Sequence, residues 1–336
     1  MASVDPVGRQ GTLELREIVR LVEDDLVRVE ALFAEQARSD VGLVSEIGRY
    51  IREGGGKRVR PALLLLASRL CGYRGERGIV LAATVEFIHA ATLLHDDIID
   101  EATTRRGRRS VNSRWGNDVT VLLGDFLYTK SMAMALSQDN LPILRLLSDV
   151  TLRMIEGEIL EIERDGDMEV TEKEHLDLIR RKTADLFSAC TRIGALLGGV
   201  DDGQAEALTR YGAHLGMCFQ MVDDLLDFTA EEETLGKPVA NDLREGKVTL
   251  PMIFLLRRAG VTEAQKVRAV LEDRGFRRVP REEIVRLARD HGALEEAGSL
   301  AERFAEAARR DLRVFEPSPY REALEALPGF ILARDH

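Results

Sequence analysis

The segment VLAATVEFIHAATLLHDDIID (80–100) constrains the fold more than any other part of the chain. Its apolar residues recur at spacings of three and four, as in Val85, Ile88, Ala91 and Thr92, which is the period of an α-helix. They also occupy more than one face, so this helix must be surrounded by other helices rather than lie on a surface. Yet it ends in three carboxylates: Asp96, Asp97 and Asp100. The same pattern closes LGMCFQMVDDLLDF (215–228) with Asp223, Asp224 and Asp227. The C-terminal end of a helix is already negative, so carboxylates there need a cationic partner.

The rest of the chain is written in the same helical period. Leu63, Leu66, Ala67 and Leu70 repeat it, and no proline falls in 62–141 or 143–237. Strand-like alternation is scarce. We expect a single all-α unit over 1–336, a large helical bundle around a deep central cavity, with 1–12 a flexible N-terminal segment. Helices are predicted near 11–37, 41–52, 58–71, 78–101, 112–137, 141–164, 172–197, 204–229, 248–259, 263–273, 281–311 and 319–333. Glycine-containing breaks at 54–56, 72–78, 107, 116, 166, 198–203, 236 and 246 punctuate them.

The composition excludes several functions. With 47 basic and 58 acidic residues, the net charge of −11 argues against nucleic-acid binding and against adhesion to an anionic membrane. Cys71, Cys190 and Cys218 lie in no metal-binding spacing and read as buried thiols of a reducing compartment. The start, MASVDPVGRQ, lacks a signal pattern, and apolar runs such as PALLLLAS are too short to span a bilayer. A soluble cytoplasmic protein is the expectation.

On a helix, residues i and i+4 share a face, and i+1 is turned about 100° away. Asp96 and Asp100 can therefore grip one ion with Asp97 beside them. Oxygen-only donors with few other ligands suit Mg²⁺, which keeps waters and shares phosphate oxygens. A lone DDxxD is most often a solvated helix end. Two copies, each closing an apolar helix, favour a metal and diphosphate site instead. The cations are at hand. TTRRGRRS (103–110) brings Arg105 and Arg106 just after the first motif. GGGKRVRP (54–61) sets Lys57, Arg58 and Arg60 at a helix start, where free backbone amides also favour anions. No P-loop pattern is present.

The ordered set GGGKRVRP, FIHAATLLHDDIID, RRG, GDFLYTK, KTADLF, FQMVDDLLD and LGKPVANDLREGKVTLP resembles the trans-isoprenyl diphosphate synthases, and most closely their bacterial octaprenyl-type branch. The resemblance covers about 15–335. It implies a homodimeric all-α prenyltransferase that joins isopentenyl diphosphate to an allylic diphosphate such as farnesyl or geranylgeranyl diphosphate. It implies that Asp96, Asp97, Asp100, Asp223, Asp224 and Asp227 hold Mg²⁺, about three ions per site. It matches Arg105, Lys182 and Lys237 to the allylic diphosphate, and Thr183 and Gln220 to the reacting carbons. Lys57, Arg60, His89 and Arg106 match the isopentenyl diphosphate site. Lys247 lies in the corresponding loop, and Arg334 matches terminal basic residues that reach isopentenyl diphosphate in relatives. Taken singly, each has an ordinary explanation: His89 a core histidine, Lys182–Thr183 surface, Gln220 a buried amide, Lys237 a solvated turn. Order and context select the functional reading.

The resemblance also bears on product length. Ala91 and Thr92, five and four residues before Asp96, are small where farnesyl enzymes commonly carry aromatics. A tail can then pass toward Phe87, Ile88, Thr84 and Val85, with Met132 and Met134 on the opposite wall. Met132 stands where relatives commonly have Phe. By analogy the product has about eight prenyl units, within about six to ten, and serves quinone side chains after hand-off at a membrane. The alternatives are a geranylgeranyl or farnesyl diphosphate synthase, a terpene cyclase of the same fold, and a non-catalytic partner subunit. A cyclase usually replaces the second aspartate motif, and a silent subunit loses aspartates or cations. A metal phosphohydrolase is disfavoured because His175, His214, His291 and His336 form no metal spacing.

Overall fold

A computed structural model describes residues 15–56, 58–229 and 240–334. Lys57, Lys237, His336 and the expected N-terminal segment 1–12 lie outside the described residues. The helices are α1 (Leu15–Arg20), α2 (Glu23–Gln36), α3 (Gly42–Glu53), α4 (Val59–Leu70), α5 (Arg77–Ile99), α6 (Val111–Trp115), α7 (Asn117–Leu136), α8 (Leu141–Glu163), α9 (Glu172–Ile179), α10 (Asp185–Gly198) and α11 (Asp202–Thr229). They continue as α12 (Asn241–Glu245), α13 (Leu250–Arg258), α14 (Val261–Asp273), α15 (Arg281–Asp290), α16 (Ala293–Asp311) and α17 (Pro319–Leu332). A π-helical turn, Arg180–Ala184, joins α9 to α10.

α5 is enclosed as its sequence requires. It packs against α7, α4, α2 and α10, and Leu81, Ala82, Ala83, Val85 and Phe87 are wholly buried. α11 is enclosed by α10, α16 and α17. One continuous apolar cluster runs through all of these helices. α10 is the common neighbour of both acid-tipped helices, and two glycines set its spacing. A Cβ at Gly194 would lie 2.7 Å from Ala67 Cβ and Ser68 N of α4, and one at Gly216 of α11 would lie 2.6 Å from Ala184 Cα.

Several expectations are corrected. The helix expected over 11–37 breaks at Leu21–Val22, that over 112–137 breaks at Gly116 (φ 89°), and that over 281–311 breaks at His291–Gly292, where Gly292 has φ 65°. The continuous helix expected over 172–197 contains the π turn. A small hairpin, β1 (Thr104–Arg105) and β2 (Arg108–Arg109), was not expected. Its two-residue turn, Arg106 (φ 52°) and Gly107 (φ 72°), has the doubly positive φ that matches the twist of paired strands. Tyr50 and Arg114 support it: Tyr50 Oη donates to Arg109 O (2.7 Å), and the Arg108 and Arg114 guanidiniums stack on the Tyr50 ring.

Cys190 and Cys218 are buried as expected, but Cys71 is only half-buried. Burial pushes all three thiols up to about 12, which leaves them unreactive. Contrary to the estimate from short apolar runs, α5 and α7 are long and apolar enough to cross a membrane by length and composition. For α5 the explanation is internal, since 72% of its apolar window is buried inside the protein. α7 differs, with Val121, Leu122 and Leu136 exposed.

Candidate active site

Two bridges join the ends of α5 and α11. The first is the π turn. Its wider winding re-aims Lys182 and Thr183 relative to a regular helix. Thr183 Oγ1 donates to Gln220 Oε1 (2.8 Å), one helical turn before Asp224. Lys182 Nζ lies 2.5 Å from Glu161 and 2.8 Å from Glu158 on α8, and its charge is also felt at Asp96. α8 comes close because Gly157 faces the π turn, where a Cβ would lie 3.1 Å from Lys182 N. The second bridge is the segment 240–247. Asp227 accepts from Asp242 N (3.0 Å), and its carbonyl accepts from Ala240 N (2.6 Å). At the other end Lys247 Nζ donates to Asp100 Oδ1 (3.0 Å). Arg274 ties this segment to the end of α8 by pairing with Asp165 and donating to Glu245 O.

The electrostatics follow from crowding acids around two lysines. Burial, then Glu158 and Asp100, push the Asp96 carboxyl up to about 7. Burial alone would lower the Lys182 ammonium, but Glu161, Glu158 and Asp96 raise it; Lys247 is likewise raised by Glu161, Asp100 and Glu245. The site has more carboxylates than cations to balance them, which suits a divalent ion.

The middle aspartate of each motif behaves differently. Asp97 is 2% exposed, accepts from Arg105 Nε (2.5 Å), and through its carbonyl accepts from Asn112 Nδ2 (3.0 Å). Arg105, matched to the allylic diphosphate, is thus engaged by Asp97. Asp224 is 3% exposed, with Oδ2 3.0 Å from His175 Nε2 and Oδ1 accepting from Gln220 Nε2 (3.0 Å). Both carboxylates are spent on the protein. Of the six aspartates expected as metal ligands, Asp97 and Asp224 are therefore the two whose carboxylates are paired with side chains of arginine, histidine or glutamine. Asp96, Asp100 and Asp223 are the more open carboxylates, and Asp227, although 1% exposed and bonded to Asp242 N, stays with them in the candidate set.

On another face of α5 lies a basic pocket. Arg60 is half-buried, stacked on the Phe187 ring (5.0 Å), and its Nε has no hydrogen-bond partner within the protein. Burial lowers its pKa, yet a guanidinium stays charged, so the site is built to receive an anion. Burial, together with Arg60, Arg106 and Arg105, holds His89 well below the usual imidazole range, so it is neutral. Arg106, on the hairpin turn, donates to Gly55 O. Arg58, itself in the left-handed region (φ 46°), is anchored by Glu30 and Glu86. Arg334 lies over the Phe219 ring (4.9 Å), with Nη2 3.6 Å from Asp223 Oδ1, so it sits at the second motif.

A separate open cleft descends from Asp96 and Lys182 between α5 and α8. Its walls include Thr92, His95, Ile99, Met154, Ile155 and Ile159. Of the expected chain-length positions, Thr92 lines this cleft. Ile88 is buried one turn deeper on the same helix face, Ala91 is buried and turned away from that face, and Met132 is half-buried on the neighbouring α7. Sequence reasoning missed Glu158, Glu161, Glu86 and His175. Glu158 and Glu161 lie in the glutamate-rich last two turns of α8, EGEILEIE, where spacing alone did not separate them from Glu156 and Glu163.

Two acid-tipped helices buried in one all-α bundle, bridged by lysines and flanked by an arginine pocket, define an enzyme that handles diphosphates at the mouth of an apolar cleft. The chain belongs to the polyprenyl synthetase family, whose model matches residues 41–286. It is 39% identical over 323 residues to octaprenyl diphosphate synthase of Escherichia coli (strain K12), covering 96% of this chain and 100% of that one. The crystal structure of a polyprenyl synthase from Caulobacter crescentus CB15, complexed with calcium and isoprenyl diphosphate, superposes with a TM-score of 0.92 at 36% identity, over 98% of this chain and 100% of that one. A decaprenyl diphosphate synthase from Rhodobacter capsulatus gives 0.91 at 37% identity, over 96% and 99%. The protein is therefore a trans-prenyltransferase, a polyprenyl diphosphate synthase of the long-chain type. Enzymes of this family bind divalent metal and act on isoprenyl diphosphates.

Proposed function

We propose that this enzyme extends farnesyl or geranylgeranyl diphosphate by successive trans 1′–4 condensations with isopentenyl diphosphate, to a product of about eight units. The observation that carries the reading is the double bridge between the aspartate motifs, through Lys182–Thr183–Gln220 and through Lys247. Octaprenyl-type relatives support the length, and quinone side chains are the use that fits it.

The residues fit Mg²⁺. The donors are all oxygens, and burial with the neighbouring Glu158 and Asp100 raises the Asp96 pKa despite Lys182 and Arg105 nearby. Among the described residues no three His, Cys, Asp or Glu side chains converge as a ready cage, so waters and diphosphate oxygens would complete the coordination. Asp96, Asp100, Asp223 and Asp227 would hold the ions, about three per site, which neutralise the departing diphosphate. Lys182 holds the allylic diphosphate, joined by Lys237 and Lys247. Arg60, Arg106 and the neutral His89, with Lys57, hold isopentenyl diphosphate. The allylic C–O bond breaks, and the double bond of isopentenyl diphosphate attacks the resulting cation. A proton is then lost to the departed diphosphate. Thr183 and Gln220 flank the reacting carbons, and apolar walls closed over the bound substrates would exclude water that quenches the cation.

The exposed stripes of α7 (Val121, Leu122, Leu136) and α8 (Leu152, Ile155, Ile159, Ile162) support a homodimer in which a second copy covers them. A cytoplasmic enzyme handing its product to a membrane completes the proposal. The test is incubation with Mg²⁺, radiolabelled isopentenyl diphosphate and farnesyl diphosphate, followed by sizing of the products. Products that stop at the geranylgeranyl length would replace the long-chain reading with the short-chain alternative.

A further inference from the structure

The middle aspartate of the second motif centres a hydrogen-bond chain whose direction is fixed. A carboxylate only accepts, so each neighbour of Asp224 must donate to it. His175 Nε2 therefore carries its proton toward Asp224 Oδ2 (3.0 Å), and Gln220 turns its amide nitrogen toward Oδ1 (3.0 Å). That turn leaves Gln220 Oε1 facing Thr183, whose hydroxyl proton it takes (2.8 Å). The Thr183 hydroxyl proton and one of the two Gln220 amide protons are then committed within the protein. The Thr183 and Gln220 oxygens have only lone pairs left to present outward. His175 (6% exposed) and Asp224 (3% exposed) are too buried to reorganise by exchanging partners with water.

His175 is itself held. It lies in the first turn of α9, whose start is fixed by a reciprocal cap: Thr171 Oγ1 accepts from Glu174 N (3.3 Å), and Glu174 Oε2 accepts from Thr171 N (2.9 Å). The π turn then places Thr183 across from Gln220.

We infer that His175 and Asp224 are positioning residues that hold the Thr183 and Gln220 oxygens lone-pair outward, toward the allylic carbon that becomes positive. The inference rests on the prenyl-transfer reading above. An oxygen so held stabilises developing positive charge, and it has no proton free to hydrogen-bond the diphosphate. Asp224 acts here through Gln220 and not through a metal ion.

The experiment compares Asp224→Asn, His175→Phe, His175→Gln and Asp223→Asn in the full-length enzyme. It measures kcat, KM for each diphosphate and the Mg²⁺ concentration for half-maximal rate, with circular dichroism and melting curves as folding checks. Asp224→Asn and His175→Phe are expected to lower kcat about 30- to 100-fold, with both KM values and the Mg²⁺ requirement within about twofold of wild type. His175→Gln keeps an N–H donor at the same reach and is expected to restore kcat to within about fivefold. Asp223→Asn is expected to raise the Mg²⁺ requirement. A rise in Mg²⁺ requirement for Asp224→Asn like that of Asp223→Asn would overturn the inference, as would failure of His175→Gln to rescue. If Asp224→Asn does not fold, the two His175 variants decide the matter alone. A wild-type enzyme that does not condense isopentenyl diphosphate at all would instead refute the underlying function.

Discussion

Gly216→Ala tests whether the approach of α11 to the π turn is a catalytic dimension. The added methyl would lie 2.6 Å from Ala184 Cα and 3.0 Å from Ala184 Cβ and Phe187 Cβ. Carbon–carbon contacts are comfortable at about 3.5–4.0 Å, so the elements must part locally by about 1 Å. Ala184 follows Thr183, and Gly216 precedes Gln220 by one turn, so the 2.8 Å Thr183–Gln220 hydrogen bond bridges the opening. Stretched by that much, it passes the limit of a hydrogen bond. Overpacking costs about 1–3 kcal/mol, and the better helix propensity of alanine returns about 1 kcal/mol. The net loss of stability is therefore small, about 0–2 kcal/mol, while a misplacement near 1 Å lowers kcat about 100-fold. Gly298→Ala is the control, since a Cβ there meets nothing within 4 Å in the interior of α16. It should stabilise by about 0.5–1 kcal/mol with no effect on turnover. Urea unfolding and steady-state kinetics on both variants decide the question. Wild-type turnover in Gly216→Ala would refute the reasoning, whatever its stability.

Three other substitutions probe the remaining parts of the site. Thr92→Phe fills the upper part of the cleft beside Asp96 and should shorten the product without abolishing turnover, read by sizing labelled products. Glu86→Ala removes one of the two acids on Arg58, which lies between Lys57 and Arg60; stability should fall by about 2 kcal/mol and KM for isopentenyl diphosphate should rise about tenfold, with KM for the allylic substrate little changed. Asp96 has its folded-state pKa raised to about 7 by burial and by Glu158, so in metal-free protein its ionisation opposes folding. That cost is absent below about pH 4 and complete above about pH 7, so Asp96→Asn should raise the melting temperature at pH 8 and leave it nearly unchanged at pH 4.

Much of the fold was legible because burial is written into period. α5 and α11 read as enclosed helices, and they are enclosed. The helix breaks were harder for a physical reason. Gly116 reads as a break, although one helix was expected across it, whereas Gly292 sits inside an amphipathic pattern that continues across it and only its positive φ ends the helix. The hairpin at 104–109 has too few residues to show alternation, and Arg106 gives no hint that it adopts φ 52°. The π turn was invisible for the opposite reason: RRKTA carries no breaker, although Gly157 and Gly216 let α8 and α11 approach it closely from two sides.

The aspartates show where spacing stops being informative. Helical geometry alone turns Asp97 away from the shared face of Asp96 and Asp100, and turns Asp224 away from Asp223 and Asp227. Spacing cannot say what waits on that other side. For Asp97 it is Arg105 from the nearby hairpin, read from sequence as a diphosphate ligand, and for Asp224 it is His175 from α9, distant enough in sequence to look unrelated. A histidine outside any metal spacing was therefore read as uninvolved, although it fixes the orientation of a catalytic amide. DDxxD thus joins two demands in one motif. Asp96, Asp100 and Asp223 stay open enough to meet substrate, and the inner carboxylate is closed off by the protein so that the groups around the reacting carbon cannot turn.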